Sequence, residues 1–215
     1  MKTKVYNVNY NKHEHVSLTG KGIDKGWEYA NVLKDFISPW DDKKTNKIEF
    51  KSLWDSNNLY FLFKVFDENV HLNTKDDSID SIGNSDRVEL FFRSNLNMNP
   101  YYCLEIDPTP RLMDFMAYPK RKFDFNWNWP SKDIEIKSDI QKDYFTVEGA
   151  ISLASLKKFN LLNNNIIEAG IYVAKYNKSK NASFEPTWIS WINPQSKEPN
   201  FHIASSFGIL NLVDY

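Results

Sequence analysis

The chain has 215 residues, and its 27 Lys and Arg against 28 Asp and Glu leave a net charge of −1. This balance argues against a broad nucleic-acid-binding surface, and no apolar run approaches the ~18 residues of a membrane span. Aromatic residues make up 15% of the chain, with 7 Trp, 11 Tyr and 15 Phe, which exceeds what a core of this size ordinarily needs. We therefore predict that some rings line a binding surface.

Short segments rich in β-formers alternate with clusters of Asn, Asp, Ser, Gly and Pro. Strands are predicted, in chain order, at residues 48–53, 59–66, 87–93, 101–107, 112–118, 134–138, 144–151, 167–176, 187–191 and 208–213. Only residues 153–162 favour a helix. This spacing predicts an all-β fold, a single-domain antiparallel β-sandwich with one short helix, spanning residues 1–215 with residues 1–17 as an N-terminal arm.

Alternation along two strands places acidic side chains on one face. Glu89 shares a face with Phe91 and Arg93, and Glu105 and Asp107 point away from their apolar neighbours. Neighbouring antiparallel strands would bring Glu89 and Glu105 together, and a charge on a covered face needs a partner or a ligand. A solvated outer face carrying ordinary charges is the alternative.

The most unusual local composition is the segment 123–130, Phe-Asp-Phe-Asn-Trp-Asn-Trp-Pro. Trp127 and Trp129 are two residues apart, so on an extended segment they project to the same side. Indole rings stack on the apolar faces of sugars, and Asn side chains both donate to and accept from hydroxyl groups. Arg111 and Arg121 lie upstream and can donate in a fork to vicinal hydroxyls or a carboxylate. Alternatively, the two Trp close one end of the sandwich.

A second aromatic group contains Trp188 and Trp191 near a strand end, and at least one of these is expected in the core. Residues 124–128 begin like a calcium loop, but Trp129 occupies the position where the tight turn needs Gly. No cofactor or metal is expected, although a looser calcium site built from loop carboxylates stays open. His13 and His15 are expected in a solvated arm.

Seven segments carry a family pattern in order along the chain. They are Leu53-Trp54-Asp55, Leu59-Tyr60-Phe61, Val65-Phe66-Asp67-Glu68, Ser85-Asp86-Arg87-Val88-Glu89-Leu90-Phe91, the segment 101–107, Val147-Glu148-Gly149-Ala150-Ile151-Ser152-Leu153, and the segment 201–208 from Phe201-His202 to Ser206-Phe207-Gly208. Together they resemble carbohydrate-binding module family 9 and its stand-alone relatives, from about residue 18 to residue 213.

The resemblance implies a β-sandwich that binds sugars without catalysis, often as an appendage of xylanases. In that family two aromatic rings sandwich a sugar, while polar residues on adjacent strands hold its hydroxyls. Glu89 matches the family's site glutamate and Phe201 falls where one sandwiching Trp stands. Gly83 lies near the position of the other Trp, so Trp127 or Trp129 is our candidate for the missing wall.

We predict non-catalytic carbohydrate binding by aromatic stacking and polar contacts on one face or end of the sandwich. The candidate site residues are Glu89, Glu105, Asp107, Arg111, Arg121, Trp127, Trp129, Trp191, Phe201 and His202. One alternative is a glycan-active hydrolase that uses the sheet-face carboxylates. The other is a protein-interaction or scaffold domain on the same fold.

The expected ligand is a saccharide, with neither nucleic acid nor membrane as partner, and the oligomeric state stays open. The N-terminus lacks the apolar stretch of a signal peptide. The chain as written is therefore expected in the cytoplasm, or in the extracellular space or periplasm if a leader has been removed.

Overall fold

The computed structural model describes residues 3–12, 15–41, 45–179, 181 and 183–214. These residues form thirteen strands and two short α-helices. The strands are β1 Val5–Tyr10, β2 Ile48–Trp54, β3 Asn58–Phe66, β4 Arg87–Arg93, β5 Tyr101–Ile106, β6 Leu112–Tyr118, β7 Lys122–Asp124, β8 Ile134–Ile140, β9 Tyr144–Ser152, β10 Leu162–Asn163, β11 Ile166–Lys178, β12 Phe184–Ser190 and β13 Gly208–Val213. The helices are α1 Ile79–Gly83 and α2 Leu153–Lys158.

The strands hydrogen-bond into one curled sheet in the order β7-β6-β5-β4-β11-β13-β1-β2-β3-β9-β8, with β10 and β12 also paired to β11. Its two halves pack face to face as a β-sandwich, which confirms the predicted fold class. We call β7-β6-β5-β4-β11, with β12, the front sheet, and β13-β1-β2-β3-β9-β8 the back sheet. Pairing is antiparallel except at β1, which runs parallel to both β13 and β2.

The main core lies between the two sheets. Leu90 and Phe92 of β4 point into it from the front, and Phe50 and Phe63 meet them from the back with ring centroids 4.9 Å apart. The period-2 alternation of these strands therefore separates core residues from those on the outer faces.

Each outer face carries a smaller buried cluster under loops. The front one includes Phe91, Tyr101 and Cys103, and the back one includes Trp27 and Tyr60. Burial raises the pKa of the Cys103 thiol, so this side chain packs as a small apolar residue.

All ten predicted strands are present, and five elements differ from the prediction, among them the short strands β7 and β10, which were not predicted. β1 lies within the expected arm but pairs along its length with β13, and Val16 is buried. α1 was not predicted, because it is a five-residue helix in a polar loop. α2 ends at Lys158, since Asn160 adopts a φ of 59° in the left-handed region.

His13 and Glu14 lie outside the described residues. Among the helices that the structure describes, none is long and apolar enough to cross a membrane.

Candidate functional site

A pocket of about 360 Å³ opens on the outer face of the front sheet. Its floor is formed by Arg87 and Glu89 of β4 and Glu105 of β5. Glu89 lies directly opposite Glu105 in the strand register. The prediction that these two carboxylates share one sheet face is therefore confirmed.

A single guanidinium serves both carboxylates of the floor. Arg87 Nε donates to Glu105 Oε2 at 2.7 Å, while Arg87 Nη2 lies 3.0 Å from Glu89 Oε1. This Glu89 oxygen is buried, and no donor in the described part of the chain meets it with hydrogen-bond geometry. Like charges directly opposite each other on a sheet are unfavourable, so one arginine only partly compensates the pair.

The Glu89 carboxyl accordingly favours its protonated form. Burial, followed by the neighbouring charge of Glu105, raises the pKa of Glu89 to about 8. A protonated carboxyl both donates and accepts hydrogen bonds. At neutral pH the Glu89 carboxyl can therefore both donate and accept hydrogen bonds at the buried floor of the pocket.

Aromatic rings form two walls on either side of this floor. The phenylalanine wall consists of Phe115, Phe123 and Phe125, on β6 and on and just after β7, with ring centroids 4.8 to 5.8 Å apart. In the sheet order these strands lie beyond β5, whereas β12 lies on the other side of β4 and β11.

The tryptophan wall consists of Trp40, Trp188 and Phe201. Phe201 stacks on Tyr172 at 4.0 Å and 10°, so one of its ring faces is covered. Trp40 and Trp188, both half-buried, meet Phe201 with centroids 5.5 and 5.8 Å away. Trp188 stands in one cross-strand row with Ala174 and Arg87, and the small Ala174 side chain leaves Arg87 5.5 Å from the indole.

His202 joins the floor to the phenylalanine wall. Its Nδ1 lies 3.1 Å from the Tyr101 hydroxyl, and its ring is 4.9 Å from that of Phe123. Burial, then the positive charges of Arg121 and Arg87, lower the pKa of His202 to about 3. The imidazole is therefore neutral at physiological pH and supplies one donor and one acceptor.

The pocket brings together five of the ten predicted site residues, which are Glu89, Glu105, Arg121, Phe201 and His202. The other five lie elsewhere.

Asp107 and Arg111 hold a loop and do not line the pocket. Asp107 is fully buried and accepts hydrogen bonds from the Arg111 side chain, with Nε at 2.8 Å. Arg111 also donates to the carbonyl oxygens of Asn73 and Asp76. The predicted ligand contact is corrected, because this pair ties the loop before α1 to the turn after β5.

Trp127 and Trp129 lie on the core face of the front sheet, away from the pocket. Trp129 is 3% exposed and its indole N–H donates to Ser155 Oγ at 3.1 Å. Half-buried Trp127 packs on Tyr102 with centroids 4.9 Å apart. The chain turns after Asp124, whose side chain accepts from the Asn126 N–H, and this turn carries both indoles to the core side. They close the sandwich, which is the alternative considered above.

Trp191 is also a core residue, at 1% exposure. We leave Trp127, Trp129 and Trp191 out of the proposed site.

Trp40, Trp188 and the three phenylalanines of the wall line the pocket but are not among the ten predicted site residues. Phe123 and Phe125 occupy the same two-residue spacing as Trp127 and Trp129 in the segment already singled out, so the signal for them was present. Trp40 stands in a loop that an isolated bridge between Ile37 and Ser190 attaches to β12. No local pattern indicates that contact.

No group of three or more His, Cys, Asp or Glu side chains within the described ranges could hold a metal ion. The loose calcium site therefore has no candidate ligand cluster in that part of the chain.

Comparisons with known proteins address the fold and the family. No curated protein matches the sequence significantly. Among solved structures, a carbohydrate-binding module of family 9 from Caldicellulosiruptor kristjanssonii, in complex with glucose, is 19% identical with a TM-score of 0.65, over 99% of this chain and 97% of that one. The module from the same organism in complex with cellotriose is 19% identical with a TM-score of 0.62, over 99% and 95% of the two chains.

A protein from Bacteroides uniformis is 14% identical with a TM-score of 0.69, over 99% of this chain and all of its own. At these identities the likeness establishes the fold alone. The sequence family described as carbohydrate family 9 binding domain-like matches residues 18–215. Since that match covers nearly the whole chain, this protein belongs to the carbohydrate family 9 binding domain-like family.

Proposed function

We propose that this protein binds carbohydrate without catalysis, in the pocket on the outer face of the front sheet. The observation that carries the proposal is a buried carboxyl oxygen of Glu89 between two aromatic walls, which is 3.0 Å from Arg87 Nη2 but accepts no well-aligned hydrogen bond from the described residues. Buried polar groups in folded proteins are nearly always satisfied, so this one suits a ligand that supplies the missing contact.

A sugar ring matches both parts of the pocket. Its axial C–H groups pack on aromatic faces, which the half-buried rings of Trp40 and Trp188 offer. Its hydroxyls each donate and accept, so they can contact the Glu89–Arg87–Glu105 floor and neutral His202 together. The family assignment and the glucose and cellotriose complexes of the similar modules support this ligand class.

Binding is favoured over hydrolysis by the ion pairing of the two carboxylates. A glycosidase needs two carboxyl groups that are free to flank the scissile bond. Here the nearest oxygens of Glu89 and Glu105 lie 3.0 and 2.7 Å from nitrogens of one guanidinium, so both groups hold the same cation on one floor. We propose saccharides, and neither nucleic acid nor membranes, as partners, since the net charge of −1 provides no overall attraction to phosphate groups.

The test is a glycan array followed by isothermal titration calorimetry with the glycans that bind. Trp188→Ala should lower the affinity by about tenfold or more, because a central aromatic contact is typically worth above ~1.4 kcal/mol. Trp54→Ala is the matched control, since Trp54 is also half-buried but donates its indole N–H to the Val213 carbonyl, away from the pocket.

The control should lose stability and keep its affinity. An array with no bound glycan would refute the proposal, and so would equal losses of affinity in the two variants. Reducing-sugar release from a bound glycan would instead favour the hydrolase.

A further inference from the structure

The rim of the pocket carries a guanidinium without an acidic partner. Arginine is rare in this chain, and three of its four arginines form ion pairs with carboxylates: Arg87 with Glu105, Arg93 with Glu168 and Arg111 with Asp107. Arg121 forms no ion pair or hydrogen bond with any residue that the structure describes. The exposed Arg121 side chain lies over the Phe123 ring, whose centroid is 5.8 Å from the guanidinium carbon.

The backbone carries Arg121 in a tight turn at the edge of the pocket. Arg121 and its neighbour Lys120 form the turn between β6 and β7 with φ values of 56° and 66°, in the left-handed region. L-residues pay roughly 1–2 kcal/mol there, whereas glycine adopts it freely. Both residues share this conformation, but Arg121 lines the pocket and Lys120 does not, so the turn places one long cationic side chain at the pocket.

The other charges of the pocket do not use the Arg121 cation. Glu89 and Glu105 face Arg87 on the floor. Asp80 of α1 lies at the exposed rim, where its carboxylate accepts from the Asn84 amide at 3.3 Å and lies beyond ion-pair distance of Arg121. The positive charge of Arg121 acts into the pocket, where it contributes to lowering the pKa of His202.

We propose that the ligand of this pocket is an acidic saccharide, a glycan that presents a uronic acid residue, and that Arg121 binds its carboxylate. The guanidinium fork matches a planar carboxylate with two parallel hydrogen bonds, and charge-assisted pairs of this kind are about twice as strong as neutral ones. A neutral sugar offers the guanidinium only uncharged hydroxyl acceptors, which leave its positive charge unpaired. This inference rests on the proposed function and names its ligand class.

The experiment compares matched ligands that differ at one carbon. Glucuronic acid and glucose, and galacturonic acid and galactose, are titrated by calorimetry in low salt, beside an array of neutral and uronate-terminated oligosaccharides. The wild-type protein should prefer the acidic member of at least one pair by about tenfold, because a fork to a carboxylate contributes about 1.4 kcal/mol or more. In 1 M NaCl, where the screening length is about 3 Å, the preference should shrink.

Three variants test whether the preference for acidic sugars comes from the guanidinium group of Arg121. Arg121→Gln should remove the preference, so that the acidic and neutral members of a pair bind equally, and Arg121→Lys should keep only part of it. Lys120→Gln is the matched control, because Lys120 is an exposed cation with positive φ in the same turn and does not line the pocket. It should behave as wild type.

The outcomes separate this inference from the function on which it rests. Binding of neutral glycans with no acidic preference, or an acidic preference that survives in Arg121→Gln, would overturn the inference and leave carbohydrate binding in place. An absence of binding to every glycan of either class would overturn both.

Discussion

Each outer face of the sandwich buries a glutamate on a strand, but the two side chains differ in their hydrogen-bond partners. On the back sheet, Glu148 is 0% exposed and accepts from the Gly20 N–H, from the Thr19 N–H at 2.9 Å and from Trp27 Nε1 at 2.9 Å. On the front sheet, Glu89 is 1% exposed, and its Oε1 has an ion-pair contact with Arg87 Nη2 at 3.0 Å but no well-aligned hydrogen bond from the described residues.

The difference lies in the loops that cover each face. Gly20, at a φ of 84°, lets the N-terminal loop pass so close to β8 that a Cβ would lie 2.4 Å from the Ser138 oxygen. That approach delivers backbone N–H groups to Glu148 and closes the back face. At Gly83 on the front face an added Cβ would meet no atom within 4 Å, so the cover stays open there. A glutamate satisfied by its own chain is structural, whereas one left partly unsatisfied in a pocket is available to a ligand.

The largest effect expected from this comparison is on stability at Glu148. Glu148→Ala leaves the buried N–H groups of Gly20 and Trp27, and the partly buried N–H of Thr19, without their acceptor, so we expect the free energy of unfolding to fall by about 3–5 kcal/mol. Urea denaturation followed by tryptophan fluorescence measures the change.

Glu148→Gln is the matched control, since its amide oxygen can still accept and its loss should be smaller. A loss below ~1 kcal/mol in Glu148→Ala would mean that the loop satisfies these donors in another way, and the contrast between the two faces would fail.

A smaller effect is expected from the aromatic cluster on the core face of the front sheet. Trp127 packs on Tyr102 and Phe159, so Trp127→Ala should lower the free energy of unfolding by about 1–3 kcal/mol, less than the loss of a fully buried Trp. Its affinity for any glycan bound by wild type should not change. Trp188→Ala should show the reverse, with the larger effect on affinity in calorimetry.

A loss of affinity in a folded Trp127→Ala protein would restore the original hypothesis that this ring supplies the second wall.

Sequence patterns predicted the strands of this molecule better than the residues of its candidate site. Ten strands were found because runs of β-formers and polar turns are local signals, and the alternation along β4 and β5 correctly paired Glu89 with Glu105. The spacing of Trp127 and Trp129 implied a shared side but did not determine which one. That choice depends on the turn after Asp124, and the position of Trp40 depends on a long-range bridge to β12.

The smallest expected effect is a dependence of folding stability on pH that comes from Glu89. Glu89 has a raised pKa in the folded protein, so between the unfolded value of about 4.3 and the folded value of about 8 the folded state binds more protons than the unfolded state. The wild type therefore loses stability from this group as pH rises through that window, and the loss levels off above it.

Glu89→Gln keeps a donor and an acceptor without ionising, so it should match wild type near pH 4 and be more stable by about 1 kcal/mol or more at pH 8. Urea denaturation at unit pH steps measures the difference, and a flat curve would mean that Glu89 is ionised throughout and as well satisfied as Glu148.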